Sequence, residues 1–111
     1  MEQMRGNGLL CGMTEHWNHH TARRKDLFGF IDFIAIGRGS CIAVQCCARS
    51  SIASHRTKIV NECNVAAKAW LLAGNTIEIH GWDRHAVPLK TKDGTRLRRR
   101  CKIVDLLDSE L

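Results

Sequence analysis

The sequence predicts an α/β domain: a mixed central β-sheet with flanking helices, followed by a basic hairpin towards the C-terminal end. Three observations predict it. Apolar residues alternate with a period of two in several short runs. One longer run, between Ser51 and Gly74, repeats instead at three- and four-residue steps, as an amphipathic helix does. That helical run separates two strand-like runs, which lets those strands pair in parallel. The 111 residues suit one domain spanning 1–111, because a chain of roughly 100–150 residues buries one core.

In chain order, Leu9 to Trp17 places Leu9, Cys11, Met13, Glu15 and Trp17 on alternate positions and reads as a first strand. Only about eight residues precede it, so any leading helix is short. Asn18 to Lys25 is polar and basic and reads as a loop. Leu27 to Ile36 is apolar on both faces and reads as a central strand, interrupted by Asp32. Gly37-Arg38-Gly39-Ser40 is a glycine-bearing turn, and Cys41 to Cys47 returns as the third strand of an antiparallel hairpin. On that strand Ile42, Val44 and Cys46 form an apolar face, with Cys41, Ala43, Gln45 and Cys47 opposite. Ser51 is placed to cap a single long helix carrying Ile52, Ile59, Cys63, Ala66 and Trp70, closed by Gly74 and Asn75. Thr76 to His80 reads as the fourth strand. Val87 to Val104, turning at Lys92-Asp93-Gly94, reads as a basic, exposed appendage.

Seventeen Lys and Arg against eleven Asp and Glu give a net charge of +6, which favours a polyanionic partner, nucleic acid above all. The charge is clustered, in Arg23-Arg24-Lys25 and again in Arg96, Arg98, Arg99, Arg100 and Lys102. No run approaches the ~18 apolar residues of a membrane span, and no secretory signal opens the chain. The expectation is therefore an intracellular, cytoplasmic protein whose six cysteines stay reduced. No C-x-x-C pair is present. Cys11, His16, His19 and His20 form a loose group whose spacing matches no standard zinc site.

The chemistry concentrates on Asp32. An unpaired carboxylate among apolar strand residues costs several kcal/mol, so something must compensate it. The hairpin can bring Asp32 and Gln45 to one patch at the end far from the turn, with Cys47 beside them. An Asp on the second core strand, then Gln45 and Cys47 one residue apart on the third, resembles the restriction-endonuclease-like superfamily of nucleases. That family has an Asp, then an acidic residue, a spacer and a Lys, within a core of helix, three strands, helix and strand. The resemblance runs from Leu9 to about His80. It implies Mg²⁺- or Mn²⁺-dependent hydrolysis of DNA phosphodiester bonds without an organic cofactor. Asp32 then matches the metal-binding position, Gln45 the acidic one and Cys47 the Lys, so two of the three depart from the family pattern. Gln45 can still offer a carbonyl oxygen to a hard cation, and Glu15 can add a second carboxylate. Arg49, Arg56 or Lys58 can stand in for the missing Lys. Arg23, Arg24, Lys25 and Arg49 would contact backbone phosphates. The short first helix motivates a homodimer, which would also pair two cutting sites.

The same residues admit structural readings. Asp32 can be a buried carboxylate paired with Arg24 or Arg56. Gln45 can bond neighbouring backbone, and Cys47 can fill core volume. Two further functional classes follow: a catalytically silent nucleic-acid-binding module on the same fold, and a small structural or assembly protein.

Overall fold

The computed structural model describes residues 1–14, 16–18, 20, 23–37, 39–88 and 94–111. Its elements run α1 (Glu2–Gly6), β1 (Leu10–Met13), β2 (His16–Asn18), β3 (Arg23–Lys25), β4 (Phe33–Gly37), β5 (Ser40–Ala48), a 3-10 turn (Arg49–Ser51), α2 (Ile52–Glu62), α3 (Asn64–Leu72), β6 (Thr76–Pro88), β7 (Thr95–Leu106) and a last 3-10 turn (Asp108–Glu110). Five strands form one mixed sheet in the order β1-β4-β5-β6-β7, and β2 and β3 pair separately. The α/β class is as expected. β5 and β6 run parallel across the helical crossover, and the other neighbours are antiparallel.

The β4–β5 hairpin shows how the turn sets register. Gly37 pairs with Ser40, leaving two residues in the turn, and Gly39 takes φ +82°, a conformation glycine adopts without cost. Counting back from that pair puts Phe33 against Val44. One step further, the Asp32 N–H donates to the Val44 carbonyl at 2.9 Å, so Asp32 stands opposite Gln45.

Each sheet face carries a buried apolar cluster. On one side Ala43, Ile77, Ile79 and Leu106 pack with Ile59, Cys63 and Ala67 of the helical segment and with Phe30 and Ile31. On the other, Phe33, Ala35, Ile42 and Val44 pack with Met4, Leu9 and Cys11. The Ile42/Val44 face is thus buried, but under α1, and the long helices lie on the Ala43 side. Ile59 is fully buried. An Ile59→Ala protein is expected to lose about 3 kcal/mol of unfolding free energy in a urea melt, because helix and sheet meet there.

Several expectations are corrected. The first strand is shorter than 9–17: β1 ends at Met13, and His16–Asn18 pairs with Arg23–Lys25, which therefore is a strand and not part of a loop. Leu27 to Ile36 is not one strand. Phe28 (φ +54°) and Gly29 (φ +84°) fold the chain back, so that Leu27 and Ile31 exchange backbone hydrogen bonds before β4 begins. Asp32 consequently stands at the start of β4 and not in mid-strand. The long helix is two helices broken at Cys63, where ψ is +19° between Asn61 and Asn64, residues that weaken helical continuity. Ser51 makes no side-chain cap, since it ends the 3-10 turn with ψ +4°. The C-terminal hairpin begins earlier than Val87: β6 and β7 pair from Ile77–Leu106, both buried, out to Pro88–Thr95, so the exposed basic segment is the outer part of a strand pair rooted in the sheet. Its expected turn at Lys92-Asp93 lies outside the described residues.

Candidate functional site

Asp32 is held by the neighbouring strand. Its Oδ2 accepts the Cys46 backbone N–H at 2.6 Å and the Gln45 side-chain Nε2–H at 3.1 Å. Both donors end on the same carboxylate oxygen and hold it in place. They also fix the Gln45 amide, because turning its oxygen to the carboxylate would set two acceptors face to face. The other half of that amide is left without a partner. Gln45 is 4% exposed, and its Oε1 is buried with no hydrogen-bond partner among the described residues. An orphaned buried oxygen costs about 1–3 kcal/mol.

Asp32 and Gln45 line a cavity of about 590 Å³ with Met1, Met13, Phe33, Cys46 and Asp26. Asp26 was not visible as a site residue in the sequence. It precedes the Leu27–Phe30 turn, and only the fold-back at Phe28-Gly29 carries it to the cavity where Asp32 lies. The signal that could have found it is Phe28-Gly29 read as a turn instead of as strand.

The two thiols next to the carboxylate are silenced. Burial, and then the charge of Asp32, push the Cys46 thiol up to about 11, and the same two causes raise Cys47. Both stay protonated at neutral pH, so neither is a nucleophile or a soft-metal thiolate there. Burial also raises Cys63 and Cys101. An unfolded thiol near 9.0 ionises before the folded Cys46 does at about 11. High pH therefore favours the unfolded chain, and stability is expected to fall as pH rises from about 9 towards 11. Chemical denaturation at stepped pH checks this, and in Asp32→Asn residue-resolved alkylation should show Cys46 ionising at lower pH than in wild type.

The remaining sequence candidates are dispersed. Cys47 packs at the edge of the helix-side core. Arg49 lies 3.9 Å from Asp83, whose carboxylate also takes two hydrogen bonds from Arg100 at 2.7 and 3.0 Å. The Arg100 hydrogen bond holds the Asp83 carboxyl below its usual range. Arg56 reaches the Asp105 carbonyl at 3.4 Å and Glu110 at 3.8 Å. Lys58 is exposed on α2 and Lys25 on β3. Arg23 and Arg24 stand on β3 opposite Asn18 and Trp17. Glu15 lies outside the described residues. Among the described residues no group of three His, Cys, Asp or Glu gathers as a metal cluster. All six cysteines are free thiols.

One buried polar pair adjoins the site. His80, 2% exposed, meets Glu78 with Nε2 2.8 Å from Oε1 and sits edge-on to Phe33, with ring centroids 6.3 Å apart. It stands opposite Cys46 in the parallel register.

Compared with protein-family models, curated proteins and solved structures, the chain matches none of them. No described helix is long and apolar enough to cross a membrane.

Proposed function

We propose that the chain is a divalent-metal-dependent DNA nuclease of the restriction-endonuclease-like kind. The observation that carries this reading is the Asp32 carboxylate facing Gln45 across the β4–β5 pair, in a cavity that also takes Asp26, with the Gln45 Oε1 left unsatisfied. Two carboxylates and an amide carbonyl are hard oxygen donors, and the adjacent thiols are protonated, so the donor set fits Mg²⁺ or Mn²⁺. Asp32, Asp26 and Gln45 would hold the ion. When bound, such an ion polarises a phosphoryl oxygen and lowers the pKa of water. The chain's own contribution is positional: the Cys46 N–H and Gln45 Nε2 fix Asp32, and Phe33 supplies an apolar wall. The succession of short helix, three antiparallel core strands, helices and parallel strand also supports the reading. In it, Arg23, Arg24, Lys25 and Arg49 contact backbone phosphates, and the protein works in the cytoplasm.

The test is incubation of the purified chain with plasmid and branched DNA in Mg²⁺, Mn²⁺ or chelator. Cleavage in metal that chelator stops is the expected result.

A second reading has a specific observation behind it. Cys47 stands at the position where a lysine is expected, and Arg49 and Arg56 are engaged with Asp83 and Glu110. A silent nucleic-acid-binding module would show salt-sensitive binding without cleavage in any metal. Self-association belongs to the proposal too, through edge strand β1, where Leu10 is 71% and Met13 56% exposed. Sedimentation is expected to show a dimer, and a monomer at high concentration removes that part.

A further inference from the structure

The β6–β7 hairpin is longer than the sheet requires. β5 accompanies β6 only as far as the Ala48–Trp82 pair, while β6 and β7 continue through Asp83–Arg100, Arg84–Arg99, His85–Arg98 and on to Pro88–Thr95. Beyond Trp82 the hairpin is a two-stranded ribbon. Such a ribbon is marginal in water by itself, and this one is built against its own electrostatics. Arg84 and Arg99 stand directly opposite one another, both exposed, where like charges destabilise a strand pair. On the other face Arg98 is exposed opposite His85. Asp83 offsets part of this charge, but it is already shared by Arg100 and Arg49.

We propose that this ribbon is a docking element for duplex DNA, lying in a groove with its cations directed to the two flanking phosphate backbones. The inference takes its partner from the nucleic-acid reading above and is independent of the metal. Three features favour a duplex. A two-stranded β-ribbon fits the major groove, ~12 Å wide. Cations project from both faces, Arg84 and Arg99 on one and Arg98 on the other, so that two phosphate backbones can be met at once. Trp82, the ribbon's aromatic, already carries the Arg99 guanidinium 4.9 Å from its ring centroid, so it does not offer that face for stacking a single-stranded base. Phosphates relieve the Arg84–Arg99 repulsion, and releasing their counterions drives binding.

The experiment is an anisotropy titration of labelled duplex and single-stranded DNA of the same sequence, in chelator and over a range of salt. It compares wild type with Arg84→Gln/Arg98→Gln/Arg99→Gln and with the corresponding triple Lys variant. The Gln variant should bind duplex roughly 100-fold more weakly at low salt, with a log–log salt slope shallower by about 2.7, and the Lys variant should bind like wild type. Circular dichroism of the Lys variant confirms that the ribbon tolerates substitution. Unchanged affinity and slope in the Gln variant overturn the inference, as does tighter binding of single strands than duplex by wild type. Duplex binding that depends on the ribbon, with no cleavage in Mg²⁺ or Mn²⁺, upholds the inference while the nuclease reading fails.

Discussion

Asp32→Ala is expected to cut DNA about 10³-fold more slowly than wild type in Mg²⁺ and to lose about 2–4 kcal/mol of stability, whereas Asp32→Asn should lose the cleavage and retain most of the stability. The two effects have separate causes. A carboxylate that holds a divalent ion contributes several kcal/mol to the barrier, and about 4 kcal/mol is 10³ in rate. The stability loss comes from the donors left behind. The Cys46 N–H and Gln45 Nε2 both end on Asp32 Oδ2, and removing that oxygen leaves them with no acceptor there, at about 1–3 kcal/mol for each buried group. With its amide oxygen in the place of Oδ2, asparagine keeps an acceptor for both donors while removing the charge. A plasmid-nicking time course and a urea melt of the three proteins separate the terms.

The second large effect belongs to Gly81. A β-carbon there would sit 2.4 and 2.6 Å from the Ile52 side chain and 2.9 Å from the Arg49 Cα. Ile52 can swing aside. The Arg49 backbone cannot, because it forms the 3-10 turn that joins β5 to α2. Gly81→Ala is therefore expected to destabilise the chain by about 3 kcal/mol. It should also weaken the β5–β6 pairing, since Gly81 stands opposite Cys47. Thermal unfolding followed by circular dichroism reads the first effect. Faster amide exchange at Cys46 and Cys47 reads the second.

The facing of Asp32 and Gln45 was legible because hairpin register is a counting rule. A glycine turn at 37–40 puts residues five before Gly37 and five after Ser40 opposite each other, and those are Asp32 and Gln45. Parallel pairing of β5 and β6 was legible for a similar reason, since a helical crossover permits that direction. What escaped the sequence had no periodic signature. Leu27-Phe28-Gly29-Phe30 has strand-like composition, yet two positive φ values fold it into a turn, and Asp26 reaches the cavity only through that turn. The helix break at Cys63 keeps the apolar spacing on either side, so periodicity runs straight through it. The ribbon's extent was hidden because its basic outer half looks solvated and its buried base, Ile77 and Leu106, lies at the far ends of the two strands.

The most direct measurement is Mn²⁺ binding to the free protein, followed by electron paramagnetic resonance, in wild type and Asp32→Asn. Titration of wild type should reveal a Mn²⁺ site that Asp32→Asn abolishes while its circular dichroism spectrum is unchanged. Equal Mn²⁺ binding by the two proteins, or no binding by wild type, would contradict the assignment of Asp32 as a cation ligand.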